Sequence, residues 1–187
     1  LDFAGPGEVF AAAQTVDGQN AFKVYTAAAS SDPIVSQGFV TVKPQYSFGT
    51  APKADIVVFP DGGGVDNLLK SKASMTWANA ASGEAEISMS VCIGAFIFAD
   101  SKLLENKNAT RHWESINRLR RKAPTATIVE NVRFVDNGQI VTTAGISAGI
   151  DGSLHIIERL IGTPAAKLTA KTMEYDWQLQ RNSGGKK

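Results

Sequence analysis

The sequence contains few of the residues that build disulfides and metal centres. Its 187 residues include one cysteine and two histidines. A single cysteine forms no internal disulfide, which excludes a disulfide-stapled scaffold and favours a reducing compartment such as the cytoplasm. Two histidines and one cysteine supply no ligand cluster with zinc-site spacing, so we expect neither a metal nor another cofactor.

The sequence also lacks a large net charge and a long apolar run. Nineteen Lys and Arg residues against eighteen Asp and Glu residues leave a net charge of +1, so no global field attracts nucleic acid or an anionic membrane. The longest apolar stretch, residues 91–99, is interrupted by Gly94 and is far shorter than the roughly 20 residues of a spanning helix. We therefore expect a cytoplasmic protein with no nucleic-acid and no membrane partner. The alternative is a chain whose signal peptide has been removed, because the sequence begins at Leu1 without a basic and apolar leader.

The composition suits one domain with a sizeable core. Apolar residues make up 43% of the chain and charged residues 20%, a balance typical of a compact fold. We expect a single domain over residues 1–180. The polar, glycine-rich residues 181–187 are expected to form a flexible tail.

Strands and helices alternate along the predicted structure. Continuous apolar runs predict buried strands at residues 55–59 and 86–91, and Asn-Gly between the runs 132–135 and 140–143 predicts a β-hairpin. The spacing of apolar residues and the positions of Gly and Pro predict a strand at residues 22–26 and a helix that begins at Pro164. They also predict helices at residues 8–16, 65–69, 74–81, 94–100, 113–122 and 147–160. This alternation indicates an α/β sandwich with a mostly parallel sheet, in which ligands bind at the C-terminal ends of the strands.

Cys92 has the local sequence of a nucleophile elbow. It follows a predicted strand and precedes a predicted helix, with the small Ser90 two residues before it and Gly94 two residues after it. A sharp strand-to-helix turn crowds these two positions and raises the nucleophile above the sheet. The helix N-terminus would favour the thiolate. The alternative is a buried cysteine that packs as a small apolar side chain.

Other polar groups could complete a site around this thiol. The glycine loop at residues 62–64 could offer backbone amides to a developing negative charge, although it is equally suited to tight packing. His112 could orient a substrate or act as a base, or simply pack against its neighbour Trp113. Asp2 and Glu8 are the acids that could partner the thiolate, and their spacing places neither beside Cys92.

Ordered sequence blocks over about nine tenths of the chain resemble the ThiJ/PfpI family, and best its isonitrile-hydratase-like branch. The blocks are residues 2–6, 8–10, 59–64, 91–96, 103–104, 109–113, 135–138 and 143–151. The resemblance implies a flavodoxin-like three-layer α/β sandwich related to class I glutamine amidotransferases, and a homodimer. It also implies that Cys92 is the nucleophile and Asp2 its acid. The family domain begins with a strand before the block at residue 2, and this first strand is missing from the sequence.

The chain departs from the family pattern at two positions. Ile93 follows the cysteine, where hydratases of this branch carry Thr and protease-like members carry His. Ile93 therefore offers only its backbone amide, which together with the amide of Gly62 would form an oxyanion site. Asp61 replaces the first glycine of the usual Pro-Gly-Gly-Pro-Gly loop and adds an acid near that site, where it could repel an anionic substrate or substitute for a missing polar group.

Two functions from different classes fit these residues. The first is a cofactor-independent cysteine enzyme, an isonitrile hydratase-like lyase or related hydrolase, that acts on a small carbon–nitrogen or carbonyl electrophile. The second is a non-catalytic redox-sensing or ligand-binding protein in which Cys92 is an oxidisable thiol. A transcriptional regulator is not expected, because the residues after Pro164 leave no room for a pair of helix-turn-helix units.

Overall fold

The computed structural model describes residues 1–36 and 38–178. Its strands are β1 (Ala27–Ala28), β2 (Ile34–Ser36), β3 (Val40–Val42), β4 (Tyr46–Ser47), β5 (Ile56–Phe59), β6 (Ile87–Val91), β7 (Asn108–Ala109), β8 (Thr127–Ile128), β9 (Phe134–Asp136) and β10 (Ile140–Thr143). Its helices are α1 (Ala4–Ala12), α2 (Val65–Lys70), α3 (Lys72–Glu84), α4 (Ala95–Asp100), α5 (Ile116–Lys122), α6 (Ala148–Ile161) and α7 (Thr163–Thr172), with short 3₁₀ turns at Cys92–Gly94 and Trp113–Ser115.

The central sheet has four strands in the order β5, β6, β10, β9. The first three are parallel and β9 is antiparallel to β10. Every residue of β6 and β10 is buried, as expected for strands covered on both faces. In the β9–β10 hairpin Gly138 has φ 84°, a conformation that costs glycine little. The parallel sheet and the predicted hairpin are therefore confirmed.

Helices cover both faces of this sheet. On one face α1, α6 and α7 pack against β6 and β10, and on the other face α3, α4 and α5 pack against β5 and the first residue of β10. This arrangement is a flavodoxin-like α/β sandwich of three layers, and it places the ends of β5, β6 and β10 at one edge. Among the described helices, none has the length and apolar character needed to cross a membrane.

The segment between α1 and β5 differs most from the prediction. The first helix spans Ala4–Ala12 rather than residues 8–16, because Pro6 suits its first turn and the backbone becomes extended at Ala13. Residues 22–26 form no strand, since Phe22 packs its ring edge-on against Phe10 of α1 at 5.2 Å instead of entering a ladder. Here the chain forms two two-stranded pairs, β1 with β4 and β2 with β3. The predicted tail, 181–187, lies outside the described residues.

Candidate active site

Cys92 lies in a strained turn directly after β6. Its φ angle is 56°, in the left-handed region that non-glycine residues rarely adopt. The backbone amide of Cys92 donates to the carbonyl oxygen of Ala144 at 3.1 Å, which ties the turn to the end of β10. A Cβ at Gly94 would come within 2.1 Å of the carbonyl oxygen of Phe59, so the second position after the cysteine accepts only glycine without a backbone shift. The strand, turn and helix thus meet where the sequence predicts a nucleophile.

The thiol of Cys92 is held in its neutral form. Only 3% of the residue is exposed, and its pKa is raised to about 12, first by burial, then by Asp61, through a hydrogen bond and through its charge, and by the charge of Asp2. A hydrogen bond from the Ile93 amide acts in the opposite direction. The expected preference for thiolate is therefore wrong in this structure, because burial and two carboxylates outweigh the backbone amides at the helix N-terminus.

Asp2 is the second carboxylate of the site. It is buried, and its Oδ1 atom has no hydrogen-bond partner among the residues that the structure describes. Burial and the charge of Asp61 raise its pKa, while the backbone amide of Ile146 donates to it and lowers the pKa. The structure thus brings Asp2, Asp61 and Cys92 together, and both carboxylates disfavour the thiolate of Cys92.

The two backbone amides predicted to form an oxyanion site, those of Ile93 and Gly62, differ in their surroundings. Ile93 directs its amide at the cysteine sulfur and thereby lowers the pKa of the thiol. Gly62 is exposed at the tip of the loop after β5, and its carbonyl accepts from the amide of Val65 at 3.0 Å. A Cβ at Gly62, at Gly63 or at Gly64 would meet no atom within 4 Å. Tight packing is therefore not the reason for these glycines.

His112 lies against the loop that follows β10. A Cβ at Gly145 would come within 2.0 Å of the His112 Cδ2 atom, so the ring rests directly on that glycine. The centre of the neighbouring Trp113 ring is 5.8 Å from that of His112, and Trp113 is three quarters exposed. Trp113 therefore contributes little to the packing of His112. Glu8 is exposed on α1 and is not among the groups that shift the pKa of Cys92. The structure does not bring Glu8 into the cluster.

Arg111 is the functional candidate that sequence reasoning missed. Its side chain is 1% exposed, and its charge interacts with Cys92 and Asp61. Arginine is almost never fully buried unless it is paired, and nothing in the sequence around residue 111 signals that burial. Its position between Thr110 and His112, in a block that resembles the family, was the only available hint.

Within residues 1–36 and 38–178 no three His, Cys, Asp or Glu side chains are grouped so that they could hold a metal ion. Two surface cavities of about 740 Å³ and 340 Å³ lie elsewhere and are not lined by Cys92. Cys92 itself is only 3% exposed, so a ligand reaches its sulfur only if it is small or if the surrounding loops shift.

Comparison with known proteins agrees with this geometry. Residues 1–159 match the sequence profile of the DJ-1/PfpI family. Isonitrile hydratase of Pseudomonas putida is 30% identical over 176 residues, which cover 94% of this chain and 73% of that protein. A crystal structure of a ThiJ/PfpI family protein from Pseudomonas syringae superposes with a TM-score of 0.82 at 26% identity, covering 98% of this chain and 73% of that chain.

A regulator also shares part of this sequence. The HTH-type transcriptional regulator GbdR of Pseudomonas aeruginosa is 20% identical over 94% of this chain, which spans 47% of the regulator's length. The similarity therefore concerns less than half of that protein. The profile match, which extends over most of the chain, shows that this chain belongs to the DJ-1/PfpI family.

Proposed function

We propose that this protein is a cofactor-independent cysteine enzyme that hydrates a small carbon–nitrogen electrophile, as an isonitrile hydratase does. The observation that carries the proposal is that Asp61 and Asp2 both act on the Cys92 thiol. A thiol with a pKa of about 12 needs a base at the moment of attack, and a hydrogen-bonded carboxylate provides one.

The reaction can be written with these groups for an isonitrile. The Cys92 sulfur bonds to the terminal carbon while Asp61 accepts the thiol proton, and Asp61 then delivers this proton to the same carbon, which gives a thioimidate. Water then adds to the carbon, and one of its protons goes to nitrogen. Loss of the sulfur as a thiol, with the second water proton returned through Asp2 or Asp61, releases the N-substituted formamide. The amides of Ile93 and Gly62 would stabilise negative charge on the way.

Formation of a formamide from a simple alkyl isonitrile tests this proposal. We expect Cys92→Ala to abolish turnover, and Asp61→Asn to reduce kcat by about 10²–10⁴-fold, the range of a general acid or base. Asp66→Asn is the matched control, since Asp66 lies on α2 close in sequence and pairs with Arg118 instead. Turnover retained by Cys92→Ala would overturn the mechanism.

Ligand binding without turnover is the second candidate. Ile93, directly after the cysteine, contributes no side-chain donor or acceptor, which favours a site that binds rather than reacts. The redox form of this alternative is less favoured, because a thiol with a pKa of about 12 supplies little thiolate to peroxide. Mass spectrometry after mild peroxide treatment separates the two forms, since a sensor would gain oxygen at Cys92 within minutes.

We also propose, from membership of the family, that the protein is a cytoplasmic homodimer. Sedimentation at micromolar concentration tests the dimer, with a monomer as the contradicting result.

A further inference from the structure

Arg111 is held at the same end of the sheet as Cys92. The preceding amide, that of Thr110, donates to Thr142 Oγ1 at 2.9 Å. Thr142 of β10 is paired with Ser90 of β6, two residues before the nucleophile. Paired residues in neighbouring strands share a face of the sheet. The backbone just before Arg111 is therefore fixed close to the Cys92 turn.

Within residues 1–36 and 38–178, two of the three guanidinium nitrogens of Arg111 have no hydrogen-bond partner. Nη1 of Arg111 donates to the carbonyl oxygen of Ser115, whereas Nε and Nη2 are buried without a hydrogen-bond partner. These two nitrogens lie along one edge of the planar group, and their N–H bonds point in the same direction. That edge is the two-donor fork that a carboxylate accepts with both of its oxygens.

The buried charge of Arg111 is also unpaired. None of the ion pairs in the described part of the chain includes it. Burial lowers its pKa to about 10, which still leaves the group charged at neutral pH. Arg118 lies over the same Phe96 ring, 4.2 Å from its centre against 4.5 Å for Arg111, but it is only partly buried and pairs with Asp66. The charge of Asp61 reaches Arg111, but no carboxylate of the described residues forms an ion pair with its guanidinium. The edge formed by Nε and Nη2 is therefore free for an anion from outside the chain.

We propose that the substrate of this site carries a carboxylate, which binds to Nε and Nη2 of Arg111 while Cys92 attacks its electrophilic carbon. This inference rests on the proposed function, because it names the substrate class of the same site. Gly62, Gly63 and Gly64 of the loop that follows Asp61 are exposed, and a Cβ at any of them would meet no atom within 4 Å.

Turnover of two substrates that differ only in the carboxylate tests the proposal. Isocyanoacetate carries the carboxylate, and methyl isocyanoacetate presents the same isonitrile without the charge. We expect kcat/KM to favour the acid by at least about tenfold, the effect of a hydrogen-bonded charge pair. Arg111→Met should remove this preference, and Arg118→Met, which loses a cation from the same ring, should keep it. A preference that survives in Arg111→Met, or a wild type that prefers the ester, overturns the proposal.

Binding without chemistry separates this proposal from the proposed function. In Cys92→Ala, calorimetric titration should show isocyanoacetate binding at least about tenfold more tightly than its methyl ester. If wild type turns over neither compound but Cys92→Ala still prefers the acid, the hydratase activity is wrong and the carboxylate site stands. Equal affinities for acid and ester overturn the carboxylate site, whatever the turnover.

Arg111→Lys is a second variant that tests the proposal if Arg111→Met does not fold. Lysine keeps the buried charge but has no planar fork, so it should retain the fold and lose most of the preference for the acid. Thermal unfolding of each variant establishes that it is folded before binding is compared. A folded Arg111→Lys protein that discriminates acid from ester as well as wild type would show that the fork is not the recognition element.

Discussion

Gly94 packs against the backbone of the neighbouring strand, and this contact makes a sharp prediction. In Gly94→Ala the new Cβ would stand 2.1 Å from the carbonyl oxygen of Phe59 and 3.0 Å from its carbonyl carbon. Both atoms belong to the backbone of β5, which is paired along its length with β6. No side-chain rotation can relieve the overlap. Either β5 or the turn at Cys92 has to move.

The size of the effect follows from the kind of overlap. Overpacking of a buried position costs about 1–3 kcal/mol, and a clash between backbone atoms belongs at the upper end. For a protein of 150–250 residues, 1 kcal/mol shifts the melting temperature by about 2–4 °C. We therefore expect Gly94→Ala to melt roughly 4–12 °C below wild type, from about 2–3 kcal/mol of lost stability.

Gly83→Ala is the matched control for this experiment. Gly83 lies in the last turn of α3, and a Cβ there would meet no atom within 4 Å, so alanine should stabilise the helix by up to about 1 kcal/mol. Circular dichroism melting curves of the three proteins give the comparison. Alkylation of Cys92 by iodoacetamide, followed in parallel, should be faster in Gly94→Ala because the displaced turn exposes the thiol. A melting temperature of Gly94→Ala equal to that of wild type would refute the reasoning.

Two further predictions concern carboxylates. Replacing Asp61 by Asn should shift the pH dependence of Cys92 alkylation to lower pH, because a neutral amide no longer opposes the thiolate. Asp66→Asn should leave that pH dependence unchanged. The same pH dependence in wild type, Asp61→Asn and Asp66→Asn would contradict an effect of Asp61 on the pKa of Cys92. Burial alone would raise the pKa of Asp136, but its hydrogen bond to His155 at 2.7 Å, a backbone amide and an arginine outweigh burial and hold that pKa below its ordinary value. The resulting stability is present above about pH 4 and is lost as the pH falls through the folded-state pKa. Asp136→Asn should therefore lower the free energy of unfolding at pH 7 by about 1–3 kcal/mol and flatten its acid dependence, whereas acid-unfolding curves parallel to those of wild type would count against the prediction.

The sequence predicts the sheet well because its strands carry strong local signals. The strands β5 and β6 are continuous apolar runs, and the β9–β10 hairpin is marked by Asn137-Gly138, whose glycine has the positive φ that such a turn needs. The short strands before residue 55 have no such signal. In β2 and β3 most residues are exposed, so no alternation of apolar and polar residues marks them.

The candidate site is harder to predict, because its parts are separated along the chain. Sequence order identifies Cys92 and the acid at Asp61, since both follow strands that end at one edge of the sheet. It does not give the distances. Spacing alone leaves Glu8 and Asp2 as equal candidates, the family resemblance points to Asp2, and in the fold only Asp2 of the two is buried. Arg111 shows the limit most clearly, because burial of a charged side chain follows from packing and has no local pattern.

The three unusual residues of the site are best understood together. Ile93 removes a polar side chain beside the nucleophile, while Asp61 adds a carboxylate that accepts a hydrogen bond from the thiol. A second carboxylate next to Asp2 would make the thiolate harder to form, and in this structure the pKa of Cys92 is indeed raised to about 12. The buried cation of Arg111 acts in the opposite direction, since the charges of Cys92 and Asp61 both raise its own pKa. Interactions of this kind are reciprocal, so we expect the charge of Arg111 to favour the thiolate. Arg111→Met should therefore raise the pH at which Cys92 is alkylated, in addition to any effect on ligands. A profile unchanged from that of a folded Arg118→Met protein would show that Arg111 does not act on the nucleophile.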